Sequence, residues 1–194
     1  MNYDKTINKL FEESANSILE SRKLATQISK IINLVIECIV KRNKILICGN
    51  GGSAADSQHF AAELIGRYQL ERMSFPAIAL TTDSSIITAV GNDYGFDLIF
   101  SRQCESLVKK NDIVIAISTS GNSLNVIKAI QASKKKGAIT VGLLGGNGGD
   151  LQKMVDIAVI VPSKSTPRIQ EVHRIIIHVI CEFVEQSFKN TKAE

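Results

Sequence analysis

Tryptophan is absent from this chain of 194 residues, and Phe, Tyr and Trp together make up only 5% of it. Surfaces that bind single-stranded nucleic acid stack bases on aromatic side chains set among basic ones, so that class of function is disfavoured. The four cysteines, Cys38, Cys48, Cys104 and Cys181, form no C-x-x-C pair and sit in apolar surroundings. A thiolate zinc site is thereby disfavoured, and the cysteines read as reduced core residues of a reducing cytosol. No uncharged apolar run approaches the roughly 20 residues of a membrane span. The N-terminal stretch MNYDKTINKLFEE lacks a basic region followed by an apolar one and is no secretory signal. A cytoplasmic location is expected. No proline-rich or low-complexity linker divides the chain, so 1–194 is read as one domain.

What is present is the composition of an ordinary globular protein, 44% hydrophobic and 22% charged, with a formal net charge of +4. That mild basicity suits a small anion as well as a nucleic acid and decides little. Residues 1–42 carry apolar positions at helical spacing, Ile7, Leu10, Phe11, Ile18 and then Ile28 to Ile39, and are read as an N-terminal helical hairpin. The hairpin either packs on a partner subunit or covers the sheet. From Lys44 onward short Ile- and Val-rich runs alternate with amphipathic stretches. ILIC (45–48), AIAL (77–80), IVIAI (113–117), TVGLL (140–144) and IAVIV (157–161) read as buried parallel strands. Helices are expected at 53–66, 84–91, 97–109, 123–136, 149–154 and 168–188. The fold class is therefore α/β: a doubly wound five-stranded parallel sheet over 43–190, flanked by helices.

Ligands of such sheets bind beyond the carboxyl ends of the strands, and two loops there stand out. Gly49-Asn50-Gly51-Gly52-Ser53 joins the first strand to a helix, and its glycines allow a sharp turn or close approach to a ligand. Ala54 stands where a dinucleotide fingerprint needs its third glycine, and no acidic residue ends a second strand about 20 residues on. A nicotinamide site is disfavoured; a plain tight turn remains the alternative. Ser118-Thr119-Ser120-Gly121-Asn122-Ser123 places four hydroxyls before the helix at 123–136. A helix N-terminus offers free N–H groups and a favourable dipole, so this loop suits phosphate. One cap needs one hydroxyl, which makes an over-furnished N-cap the weaker alternative. The G-K-[ST] ending of a Walker loop is missing.

Three histidines are few enough to weigh singly. His59 and Glu63, at i and i+4, share a helix face and could bind one metal or share one proton-transfer site. Arg67 continues that face, either toward an anion or into solvent. His178 lies among isoleucines in RIQEVHRIIIHVI, as a satisfied core residue or an acid–base group; His173 reads as structural. Asn92 and Asp93, in GNDYGF, read as a turn or a hydroxyl-binding pair.

Taken in order, GNGGSAADSQHFAAELIGRY, GNDYGF, ISTSGNS and RIQEVH closely resemble the phosphoheptose isomerases of the sugar isomerase (SIS) family, over about 44–185. The resemblance implies interconversion of sedoheptulose 7-phosphate and D-glycero-D-manno-heptose 7-phosphate, the first step of heptose synthesis for bacterial surface polysaccharide such as lipopolysaccharide or capsule. It implies a homotetramer with sites at subunit boundaries and one Zn²⁺ per subunit. By motif, it implies substrate contacts at Asn50, Gly51, Gly52, Ser53, Glu63, Asn92, Asp93, Ser118, Thr119, Ser120, Ser123 and Gln170. Zinc ligands would be His59, Glu63, Gln170 and His178, with Glu63 and His178 as the acid–base pair. Pro167 stands where some relatives carry an acid, so no role for that acid carries over.

The chemistry agrees independently, because an aldose–ketose isomerase moving a proton through an enediol needs a base and a group that manages the oxygens. Gln170 and His178 are separated by about 12 Å of helical rise. Either both side chains stretch toward a point between them or, the favoured reading, His178 arrives from a neighbouring subunit. The rival from another class is a non-catalytic SIS protein that binds the replication initiator; such relatives lack the equivalents of Glu63 and His178.

Overall fold

In the computed structural model, which describes residues 3–189, five parallel strands form one sheet in the order β2-β1-β3-β4-β5. They are β1 (Ile45–Gly49), β2 (Ala77–Ala79), β3 (Ile113–Ser118), β4 (Ile139–Gly145) and β5 (Ile157–Val161). Alternation along each strand sends side chains to two helical layers. Ile45, Ile47, Ile113, Ile115, Val141 and Val159 meet α2 (Ala25–Val40), α3 (Gly52–Ile65) and α8 (Thr166–Ser187). Leu46, Cys48, Val114 and Ala116 meet α5 (Ser101–Leu107), α6 (Leu124–Lys135) and the short α7 (Leu151–Met154), with α4 (Ser84–Tyr94) alongside. Strands buried on both faces account for the near-continuous apolar runs.

The chain order reverses between β1 and β3, and the two loops singled out above follow those two neighbouring strands. The expected sheet is therefore the observed one. The N-terminal hairpin is not. α1 (Tyr3–Glu20) runs through a 3₁₀ turn (Ser21–Leu24) into α2, and Glu20, Leu24 and Ala25 all keep right-handed helical backbone angles. No left-handed residue turns the chain back there, so the segment is one long broken helix. α1 buries none of its side chains and exposes Tyr3, Ile7, Leu10 and Phe11. It rests on α8 through polar contacts. Arg168 donates to the Leu10 carbonyl at 2.7 Å, and Ser14 donates to Glu171 at 2.6 Å.

All four cysteines are free and buried, as expected. Burial pushes the thiols of Cys38 and Cys104 up to about 11, which keeps them protonated and unreactive.

The loop after α3 is held by a buried ion pair between Arg72 and Glu185 of α8, 3.4 Å apart. Glu185 accepts backbone N–H bonds from Tyr68 (2.9 Å), Gln69 (2.7 Å) and Leu70 (2.6 Å). Arg72 donates to the carbonyls of Glu63 (2.7 Å), Gly66 (2.9 Å) and Met73 (2.9 Å), closing the last turn of α3. Burial alone would raise the Glu185 carboxyl. The three N–H donors and Arg72 outweigh it and hold the group below its usual range. A depressed folded-state pKa stabilises above the unfolded-state value and is lost as pH falls through the folded one. Glu185→Gln is thus expected to cost about 3 kcal/mol in urea unfolding at pH 7. The gap from wild type should narrow as pH falls below about 4.3, the ordinary glutamate value.

Candidate active site

Helix α3 and helix α8 both start at the carboxyl end of the sheet and descend side by side in the same direction. Three levels of contact join them. At the top, the Gln170 amide packs so close over Gly52 that a Cβ there would collide with it. In the middle, Asp56, with a side chain only 3% exposed, pairs with Arg174. Below, His59 Nε2 lies 2.9 Å from His178 Nε2, with the rings edge to face. Glu63 Oε1 stands 3.6 Å from His59 Nδ1.

One chain thus brings His59, Glu63 and His178 together. The expectation that a neighbouring subunit supplies His178 is corrected, because the parallel packing of α3 on α8 lets His178 reach His59 directly. Two Nε2 atoms at this distance share one proton. Burial, and then the charges of His59 and Arg174, push the His178 imidazole below its ordinary pKa against the pull of Glu63. Tyr68 lies 5.6 Å away, ring to ring, held by the Glu185 clamp. His173 is a core residue as read: it is fully buried, with Nε2 3.0 Å from the Leu144 carbonyl. Arg67 points outward to Glu71 at 3.8 Å.

Two imidazoles and a carboxylate are zinc-type donors. On a tetrahedral zinc the two ring nitrogens would stand roughly 3.3 Å apart, a small opening from the 2.9 Å observed. Glu63 faces the other ring nitrogen of His59 and would have to rotate. Gln170 stands two turns above His178, over Gly52. Among the described residues, no group of three or more His, Cys, Asp or Glu already has ligating geometry. The donor set fits zinc in kind.

The second loop begins with Ser118 at the end of β3. Ser118 Oγ accepts from the Gly121 N–H at 3.1 Å, and Ser120 Oγ accepts from the Asn122 N–H at 3.2 Å. The Ser118 and Ser123 hydroxyls bond to each other at 3.4 Å, whereas exposed Ser120, which only accepts, keeps its own hydrogen to donate. Ser123 is the N-cap of α6 and makes no side-chain capping bond. Gly121 holds φ +68 with its Cα against the Gly148 backbone, a place no other residue fits. Thr119 and Ser120 line a cleft of about 590 Å³ with Asn147, Lys164, Thr166 and Ile169. A second cleft, also about 590 Å³, is lined by Gly52, Asp56, Pro167, Gln170, Arg174 and His178, among others. The two adjoin across the first turns of α8.

Asn50 and Asn125 exchange two side-chain hydrogen bonds, both 2.9 Å, and so tie the glycine loop to the first turn of α6. Gly51, at φ +55, caps α3, and Ser53 is buried in its first turn. Asn92 and Asp93 stand in the last turn of α4, which runs on to Tyr94 rather than ending at 91. They are exposed, bonded to each other at 2.8 Å, and line neither cleft. Arg174, Asp56, Asn125 and Lys164 were not singled out in the sequence. Only the helical spacing 170, 174, 178 hinted at the first of them.

This doubly wound parallel sheet, with its hydroxyl loop at the switch point, is a SIS domain: the SIS domain family model matches residues 10–145. Within that class the similarity is close. The phosphoheptose isomerase of a Nitratiruptor species is 48% identical over 188 residues, covering 97% of this chain and 95% of that protein. The solved phosphoheptose isomerase of Francisella tularensis superposes with a TM-score of 0.93 at 38% identity, over 96% of this chain and 100% of that one. That of Neisseria gonorrhoeae gives 0.91 at 41% identity, over 95% and 100%. The chain belongs to the phosphoheptose isomerase family and is an isomerase. The non-catalytic, initiator-binding reading is not favoured.

Removing the missed amide pair gives a direct check on the glycine loop. Asn125→Ala leaves the Asn50 amide unpartnered and is expected to cost about 1–3 kcal/mol in urea unfolding. It should also raise KM for a sugar phosphate.

Proposed function

We propose that this chain converts sedoheptulose 7-phosphate to D-glycero-D-manno-heptose 7-phosphate by proton transfer through an enediol, in the first step of heptose synthesis for bacterial surface polysaccharide. One observation carries this: α8 joins a hydroxyl-lined cleft at its first turn to the His59–Glu63–His178 cluster further along. The phosphate is held by Ser118, Thr119, Ser120 and Ser123 and the N-terminus of α6. Asn50, Gly51, Gly52, Ser53 and Gln170 border the sugar chain.

Glu63 takes the proton from the carbon bearing the hydroxyl and returns it to the neighbouring carbon. His178, paired with His59, moves the proton between the two oxygens or opens the sugar ring. Zn²⁺ would be held by His59, Glu63, Gln170 and His178, where it would supply polarisation of the sugar oxygens.

The functional unit is a homotetramer with its sites at subunit boundaries. An apolar groove of about 540 Å³ between α2 and α8, including Ile28, Ile32, Val179 and Phe183, supports this. Ile18 and Ile175 line both that groove and the reaction cleft, so a subunit covering the one borders the other. A phosphorylated substrate places the enzyme in the cytoplasm, and no described helix is long and apolar enough to cross a membrane.

Incubation with sedoheptulose 7-phosphate, with detection of the aldose, tests the reaction. Glu63→Gln should abolish turnover while sugar-phosphate binding persists by calorimetry. Unchanged turnover would remove Glu63 from its role. Ser120→Ala should instead raise KM about tenfold, the loss of one charge-assisted hydrogen bond, with kcat nearly kept.

A further inference from the structure

Arg174 has no place in the mechanism above, yet it is the only permanently charged cation among the residues lining the reaction cleft. It stands one turn from Gln170 and one turn from His178 on the same stripe of α8. Its side chain is 47% exposed and donates from Nη2 to Asp56. A guanidinium has five N–H donors in a planar fork. With one fixed on a buried carboxylate, the head group is oriented and its remaining donors are left to the cleft.

We propose that Arg174 is an oxyanion-binding residue of the isomerisation, held in place by Asp56. The inference rests on the reaction proposed above. When Glu63 takes the carbon-bound proton, the C–H electron pair becomes the C=C bond of the enediol and the carbonyl π pair moves onto its oxygen. That oxygen carries the negative charge until a proton reaches it. The Arg174 N–H groups donate to it more strongly in this state than to the neutral carbonyl of the bound ketose. A preorganised donor of this kind lowers the barrier because it need not reorient as charge develops. Asp56 serves as positioning residue: its carboxylate fixes the fork and is itself shielded from water, so the pair stays together in the empty cleft.

Wild-type turnover of sedoheptulose 7-phosphate tests the underlying reaction first; its absence would sink that reaction and not the role of Arg174 alone. With turnover established, Arg174→Met should lower kcat by about 100-fold, the scale of one lost oxyanion donor. The affinity for the reduced analogue, the heptitol 7-phosphate, which has a neutral hydroxyl in place of the carbonyl, should stay within about threefold, because ground-state binding is not what is removed. Affinity for a hydroxamate analogue, which mimics the enediolate, should fall in step with kcat. Arg174→Met leaves Asp56 buried without a counter-charge, so the double variant Asp56→Asn/Arg174→Met is measured beside it. The double variant should remain as slow as the single one. Three results would each overturn the proposal: kcat within about threefold of wild type in Arg174→Met, heptitol phosphate affinity lost as steeply as turnover, or recovery of turnover in the double variant. The last would mean that Arg174 only neutralises Asp56.

Discussion

Everything distinctive in this molecule follows from the parallel packing of α3 against α8. In a parallel sheet each strand ends at the same edge, so the helices that follow β1 and β5 both start there and run back the same way. Two helices descending together stay in register. Positions 52, 56 and 59 of one meet positions 170, 174 and 178 of the other, one level per helical turn. Small residues make this possible, since Gly52 and Ala55 leave α3 low where α8 passes. The Glu185–Arg72 clamp then closes the far end, fastening α8 to the last carbonyls of α3 and to the loop that carries Tyr68. A side chain on either helix can therefore meet its counterpart only at its own level.

That register also distributes charge. The top level is a neutral amide over a glycine, the middle an ion pair, the lowest two imidazoles beside a carboxylate. Burial and the neighbouring positive groups both disfavour a charged His178, while Glu63 opposes them. An imidazole kept neutral and touching a second imidazole can accept a proton on one side and pass one on the other. The hydroxyl loop uses another device. The Ser118 and Ser120 oxygens fold the loop by accepting backbone N–H bonds, and the Ser118 and Ser123 hydroxyls bond to each other at 3.4 Å.

Much of this was legible in the sequence, because strand burial and loop composition are local signals. β5 falls at 157–161 as expected, and β1, β3 and β4 differ by a residue or so at their ends. β2 is shorter because it lies at the sheet edge after Pro76, with a single neighbour to pair with. The hairpin was misread because helical periodicity carries no sign of direction. The relevant signal was there in the residues between Ser17 and Ser29, which include no Gly, Pro, Asn or Asp to reverse the chain. His59 and Glu63 were legible as neighbours because they share a helix, whereas the meeting of His59 with His178 spans 119 positions and depends on the sheet between them. The 12 Å of rise between Gln170 and His178 was correctly reckoned, but a second helix bridges it, not a second subunit. Asn125 was invisible for a like reason: its partner lies 75 positions away.

The exposed apolar surface completes the argument. α1 has no fully buried side chain and reaches the core only through partly buried Ile18, while Tyr3, Ile7, Leu10 and Phe11 are exposed; it is fixed to α8 by Arg168, Ser14 and Glu171. A helix held in place by polar contacts with its apolar residues outward is arranged to receive another surface. The groove beside it shares Ile18 and Ile175 with the reaction cleft. A partner that buries the groove would therefore also shield the cleft from water, and shielding strengthens every charge interaction there, those of Glu63 and the two histidines included. The apolar groove and the cleft are thus joined through two isoleucines, so that whatever covers the groove also borders the cleft.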